Sequence, residues 1–330
     1  RQMAWTDVAE PVPGPGEVLV RVHRVGVCAG DLYYYKGNNP YASYPQICGH
    51  EIAGEVARLG AGVSGWQLGE RVVVEPFIAC GRCYPCRIGK GNCCVRLQII
   101  GMHRPGGFAE ALAAPAANLH RIPAGLPLEL AAFAEPVAIA VQATRRSGLQ
   151  AGESVVVIGC GPIGLALIEV LQSKGATVTA IDLIASRLEV ASRLGAERVI
   201  DASEEDPVRA ILALTEGEGA GVIFEATGQP RAVEQAAEMV APGGRIIVLG
   251  LMKRGQQVSL AGLDLTRKEM TILGSRASIR CFPEALELLA AGKITYPRAA
   301  TEFPLPDAPG VFAELDAHPE KVCKAYFRVA

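Results

Sequence analysis

The stretch VVVIGCGPIG, residues 155–164, decides how the second half of the chain is read. An apolar, mainly β-branched run meets Gly159, Gly161 and Gly164 in the spacing G-x-G-x-x-G, with Pro162 and Ile163 in the gap before the last glycine. A strand that ends on such glycines and opens into a helix turns tightly. Its backbone can approach a pyrophosphate, which then sits on the helix N-terminus. The next apolar run, TVTAID, ends on Asp182, where an acid can take both hydroxyls of an adenosine ribose. The same acid repels a 2′-phosphate and so favours NAD over NADP. Arg187, shortly after, weakens that preference. A solvated helix-cap role for Asp182 is the plainer alternative, and the glycine run beside it makes it the poorer one.

Outward from this stretch, β and α patterns alternate. Strands are predicted at 155–158, 177–181, 198–200, 222–225, 245–249 and 270–273, with helices at 162–174, 186–195, 207–214 and 230–240. Such alternation predicts a doubly wound parallel sheet. Residues before it read differently. Strands are expected at 17–25, 52–59, 71–75 and 108–113, among glycines and irregular segments. LELAAFAEPVAIAVQATRR, from Leu128, is helical in pattern, with Pro136 expected to interrupt it. After the sheet come a helix at 283–291 and a strand at 324–329.

With 330 residues, half of them hydrophobic, the chain can form two domains with large cores. A formal net charge of −2 gives no field to hold nucleic acid. No apolar run reaches bilayer length, and the start shows no signal-peptide pattern. Ten cysteines in a chain of this size do not make a small disulfide scaffold, so a reduced, cytoplasmic setting is expected.

Five of those cysteines lie in CGRCYPCRIGKGNCC, residues 80–94. Cys80, Cys83, Cys86 and Cys94 follow C-x2-C-x2-C-x7-C. Three thiolates in a tight loop can wrap one face of a zinc ion, and a fourth can fold back to the last tetrahedral corner. Four protein ligands leave no open position, which makes such a zinc structural. Cys93 has no place in the set. Three further stretches hold candidate ligands: GVCAGDLYYYKG (26–37), CGHEIAGE (48–55) and FAEPVAIA (133–140). Cys28, His50, Glu51 and Glu135 can each hold zinc, although any one of them alone is more often structural.

Together these motifs resemble the zinc-dependent medium-chain dehydrogenases/reductases, in the polyol (sorbitol) and sugar-acid branch. The resemblance rests on GVC…D, GHE, the four-cysteine lobe, the EP at 135–136 and G-x-G-x-x-G with its following Asp. It implies an α/β fold in which a GroES-like, β-rich catalytic domain (1–137 and 281–330, with a zinc lobe at about 78–96) is split around a Rossmann domain (138–280). It implies Cys28, His50, Glu51 and Glu135 around a catalytic zinc, with Glu135 bound directly or through water. A structural zinc would sit in the lobe. NAD-dependent oxidation of a secondary alcohol to a ketone would follow, in a homodimer or homotetramer. SYPQICGHE, GSRAS and AAGKI are most similar to the sugar-acid dehydrogenases acting on L-galactonate or L-gulonate. Arg276 stands where that branch places an arginine near substrate. An arginine fork suits a carboxylate or hydroxyl-rich ligand, and pairing with an internal acid such as Glu135 is the competing use. Arg280 and Lys253 are further cations for an anionic substrate.

One departure matters. The family places Ser or Thr two residues after the zinc-binding cysteine, and often His three residues beyond, as a proton relay. Here Gly30 and Tyr33 stand there. Water, a ribose hydroxyl or one of Tyr33, Tyr34 and Tyr35 must take over, or the tyrosines wall the pocket. Two other readings compete: an amino-alcohol enzyme of the L-threonine dehydrogenase kind, and a nucleotide-binding protein without turnover.

Overall fold

The computed structural model describes residues 3–38, 43–318 and 320–329. Arg1 and Ala330, the outer ends of the expected catalytic domain, lie outside them. The chain forms two compact units. One comprises residues 1–138, 278–292 and 297–330, and the other comprises 139–277 and 293–296. In chain order the strands are β1 (Glu17–Gly26), β2 (Glu51–Leu59), β3 (Arg71–Val74), β4 (Phe77–Ile78), β5 (Gln98–Ile99), β6 (Ala111–Pro115) and β7 (Leu119–Arg121). Then follow β8 (Ser154–Ile158), β9 (Thr177–Asp182), β10 (Arg198–Asp201), β11 (Ala220–Glu225), β12 (Val240–Val248) and β13 (Thr271–Gly274). Last come β14 (Thr301–Pro304) and β15 (Ala325–Arg328).

The first unit is built on β1. One edge of this strand pairs antiparallel with β2 along its length. The other edge is divided: Glu17–Arg21 pair with β6, and Arg24–Gly26 pair with β15. The chain's last described strand thus closes onto its first. Alternate β1 residues Val18, Val20 and Val22 are fully buried in the core of this unit, together with Ile52, Val72 and Phe327. The two-stranded β4–β5 ribbon forms the neck of the cysteine lobe.

The second unit is a six-stranded sheet in the order β10-β9-β8-β11-β12-β13, with every pairing parallel. Strand order reverses at β8, so a crevice opens outside the carboxyl ends of β8 and β11, where doubly wound sheets bind ligands. The glycine run leaves β8 at this point.

Two expectations are corrected. The helical stretch breaks at Ala132–Phe133, between helices Leu128–Ala131 and Ala134–Ser147, and continues through Pro136. Proline in a first helical turn removes no hydrogen bond that the helix would have made. The strand expected at 108–113 begins only at Ala111, because Phe108 and Gly107 turn inward to pair with Cys48 and Gly49. Helix Ala308–Ala317 is not among the expected elements; its Pro309 stands at the helix start, where proline is compatible with a helix.

Candidate active site

Three residues converge at the adjoining ends of β1 and β2. Cys28 caps the short helix Ala29–Tyr35: its Sγ accepts from the Gly30 N–H at 3.4 Å. Asp31 completes the box by accepting from the Cys28 N–H at 2.9 Å. His50 immediately precedes β2 and Glu51 is its first residue, in register with β1 so that Glu51 lies opposite Gly26. A side chain at 26 is impossible without rearrangement, since a Cβ there would stand 1.9 Å from Glu51 Oε2. One ligand atom from each of Cys28, His50 and Glu51 lies within 4.8 Å of the other two. Zinc ligands 2.0–2.3 Å from a common ion are separated by about 3.3–3.8 Å, so a small inward adjustment suffices.

The electrostatics match this donor set. Asp31 and Glu51 are 1 % exposed and Glu135 is 3 % exposed, so three carboxyl groups are buried together. Burial opposes charge on His50, but Asp31 and Cys28 outweigh it and raise the imidazole well above its usual pKa. Burial pushes Glu135 up to about 7, reinforced by Glu51 and Asp31 and opposed by His50 and Lys324. Glu51 Oε2 is buried with no hydrogen-bond partner. A buried polar atom left in this way calls for a cation or water, and a divalent metal held by Cys28, His50 and Glu51 fits it. Glu135, in the first turn of helix Ala134–Ser147, is not in the close set of three, though it feels their charge.

Two braces were not assigned a role from the sequence. Asp31, carried there only as the end of GVC…D, accepts from the N–H groups of Cys28 and Gly49 and faces His50 Nδ1 at 3.5 Å. It thereby joins the two ligand-bearing segments. Lys324, 4 % exposed, donates to Glu51 Oε1 at 2.6 Å and to the Val27 carbonyl at 2.8 Å. The available signal was a lysine set beside the apolar alternation of the C-terminal strand.

Around Gly30 the surface is made by Met102. A Cβ on Gly30 would lie 3.0 Å from Met102 Cε, 3.8 Å from Cys28 Sγ and 3.9 Å from His50 Cε1. Residue 30 therefore faces the ligand cluster, and here it brings no hydroxyl. Of the tyrosine run, Tyr34 is buried with its hydroxyl bonded to Met102 and Ser43 backbone groups, and Tyr35 packs its ring on Phe312. Tyr33 is half-buried on the same short helix.

In the lobe, the sulfur atoms of Cys80, Cys83, Cys86 and Cys94 all lie within 4.8 Å of one another. Cys83 Sγ is 3.3 Å from Cys86 Sγ and 3.7 Å from Cys94 Sγ. These are not disulfide lengths; they approach the edge, about 3.8 Å, of a tetrahedron of sulfurs around zinc. Backbone N–H groups favour two of the thiolates: those of Arg82 and Cys83 draw Cys80 down to about 6, and those of Cys86 and Val95 lower Cys83, whereas burial and the neighbouring sulfurs push Cys86 up to about 11. Cys93 is exposed and outside the set.

In the second unit, Gly159 has φ +97° and a Cβ on it would meet Thr227 Cγ2 at 2.7 Å. A Cβ on Gly164 would fall 1.8 Å from the Gly159 carbonyl, whereas one on Gly161 would meet nothing within 4 Å. The outer glycines thus serve the turn and the helix–strand approach, and the middle one leaves an open cradle before helix Pro162–Ser173. Asp182 ends β9 with its carboxylate anchored by the N–H groups of Cys160, at 2.6 Å, and Ile184, at 3.0 Å. Arg187 lies in the first turn of the next helix, Ala185–Arg193. Arg276 is exposed just after β13.

Residues 14–124 match the alcohol dehydrogenase GroES-like domain, and residues 162–291 match the zinc-binding dehydrogenase domain. The L-galactonate-5-dehydrogenase of Escherichia coli K12 is 37 % identical over 298 residues, which span 89 % of this chain and 86 % of that protein. The chain belongs to the zinc-binding alcohol dehydrogenase family. An L-threonine 3-dehydrogenase of Pyrococcus horikoshii is 39 % identical over 272 residues, 81 % of this chain and 78 % of the other. A crystal structure of a zinc-binding dehydrogenase from Sinorhizobium meliloti bound to NADP superposes with a TM-score of 0.92 at 32 % identity, covering 98 % and 94 %. The rspB alcohol dehydrogenase from E. coli CFT073, complexed with NADH, gives 0.91 at 32 % identity, covering 97 % and 94 %. No helix among the described residues is long and apolar enough to cross a membrane.

Proposed function

We propose that this zinc-containing alcohol dehydrogenase oxidises a secondary hydroxyl of a polyol or sugar acid to a ketone, with NAD as hydride acceptor. The observation that carries the proposal is the buried set Cys28, His50 and Glu51, with the buried carboxyl group of Glu135 within electrostatic reach of it. When bound, zinc supplies Lewis acidity that lowers the pKa of an alcohol, and NAD supplies the site that takes up hydride. Cys28, His50 and Glu51 hold the metal, and Glu135 completes its surroundings directly or through water. Gly159, Gly161 and Gly164, with Pro162 and Ile163, admit the pyrophosphate, and Asp182 takes the ribose hydroxyls. The domain division proposed is that expected from sequence, with residues 138–280 binding the nucleotide.

Gly30 can hold no proton. Tyr34 and Tyr35 are committed to packing, so Tyr33 and water form the proposed route by which the substrate proton leaves. Arg276 is proposed to read a substrate carboxylate. The similarity to an L-galactonate dehydrogenase supports a sugar acid; the similarity to L-threonine dehydrogenases favours the amino-alcohol reading instead. A homo-oligomer is proposed on the resemblance to the family; β13, a terminal strand of its sheet with Ile272 37 % exposed, is an edge that a second copy could extend.

The test is NADH formation on L-galactonate, L-gulonate, sorbitol, galactitol and L-threonine, with NADP as control. Turnover of an aldonate with NAD, abolished in His50→Ala while NADH still binds, is expected. Turnover of L-threonine alone would replace the sugar-acid reading. Silence throughout, with NADH bound, would favour a non-catalytic nucleotide-binding protein.

A further inference from the structure

Lys324 and its neighbour hold Val27, the residue before Cys28, from both sides. The Lys324 ammonium donates to the Val27 carbonyl at 2.8 Å, and the Val27 N–H donates to the Ala325 carbonyl at 3.0 Å. The same ammonium reaches Glu51 Oε1 at 2.6 Å. Both side chains of this ion pair are almost wholly buried, at 3 % and 2 % exposed. A buried pair of this kind is not needed to stabilise a fold, since apolar groups of similar volume often do as well. Its position therefore asks for another explanation. One oxygen of Glu51 is fixed by Lys324; the other, Oε2, is buried with no hydrogen-bond donor.

We infer that Lys324 is a positioning residue of the metal site: it fixes the Glu51 carboxylate and the Val27–Cys28 backbone together, so that the metal is retained. This rests on the reading of Cys28, His50 and Glu51 as metal ligands. Lys324 does not ligate, because an ammonium has donors only. It acts through Glu51 and through the carbonyl adjoining Cys28. The inference makes the segment before β15 a working part of the metal site and not merely the last strand of a sheet.

The test compares wild type, Lys324→Met, Lys324→Arg, Glu51→Gln and the double variant Glu51→Gln/Lys324→Met. The readouts are metal equivalents per chain, the rate at which a chelator removes each metal, and the visible spectrum of the cobalt-substituted protein. Outer partners of metal ligands are worth about 10–100-fold in metal affinity. Lys324→Met should therefore lose one of the two metals at least about tenfold faster, with an altered cobalt spectrum, while the lobe metal is unchanged. Lys324→Arg should restore most of the retention. On a Glu51→Gln background, Lys324→Met should add little further loss. The double variant carries no unpaired charge, so it keeps the comparison valid if Lys324→Met alone fails to fold. Unchanged release and spectrum in Lys324→Met, with only a lower melting temperature, would reduce Lys324 to packing and overturn the inference. A wild type that holds lobe metal alone would overturn the metal-site reading itself, and this inference with it.

Discussion

Gly26→Ala isolates the geometry of the ligand cluster in a single methyl group. The backbone of Gly26 is that of a β-strand, so alanine brings no conformational strain of its own. The new Cβ, however, would stand 1.9 Å from Glu51 Oε2, 2.9 Å from its Cδ and 3.0 Å from its Cβ. A comfortable contact needs about 3.5 Å, so Oε2 must retreat by about 1.6 Å. It has no free direction: Glu51 is 1 % exposed and its other oxygen is tied to Lys324. Overpacking of this kind costs about 1–3 kcal/mol. Here the displacement falls on a proposed ligand, so loss of metal should exceed loss of stability. Metal analysis of purified Gly26→Ala should give lobe zinc in full and catalytic zinc below half. Turnover should fall at least about a hundredfold, as expected when a group that positions the reacting atoms is displaced by more than about 1 Å. Full catalytic zinc and turnover near wild type would refute the reasoning, because Glu51 would then be dispensable or mobile.

Three further outcomes are expected. Cys80→Ser should release lobe zinc while the catalytic metal stays; a loss of about 2 kcal/mol would lower the melting temperature by about 4–8 °C, and an unaltered melting curve and metal content would remove the structural zinc. Asp182→Gly should shift the NADP-to-NAD preference by about tenfold or more, the equivalent of 1.4 kcal/mol; kcat/KM for both nucleotides measures it, and an unmoved ratio would show another residue selects. Gly30→Ser in a Met102→Ala background should raise kcat at neutral pH over Met102→Ala alone, since the new hydroxyl points at the ligand cluster. No change in the pH profile of kcat would show that the proton leaves by a route independent of residue 30.

The second unit was legible because its signals are local. The switch from β-branched runs to helical spacing, and the glycines 159, 161 and 164, lie within short windows. The cysteine lobe was legible for the same reason. Helix Ala308–Ala317 carries Pro309 and Gly310 in its first turn and so gives a weak helical signal, and the break before Pro136 falls a few residues earlier than expected. His50 and Glu51 were named from their motif, but their bracing was not. Lys324 bonds to residues 273 and 297 positions away, and no sequence window contains both partners. Asp31 carried a motif position without a role, because its value lies in joining two segments that only the β1–β2 pairing brings together.

The divided edge of β1 sets an order of assembly during synthesis. The sheet of the second unit is formed from one uninterrupted run, β8 to β13, and contains all its strands before the remaining segments emerge. The sheet of the first unit is completed later, because β1 gains β15 only after residues 325–328 have left the ribosome. Cys28, His50 and Glu51 are therefore made first and braced last, and a chain cut short before Lys324 would have every proposed zinc ligand without the residue that fixes Glu51.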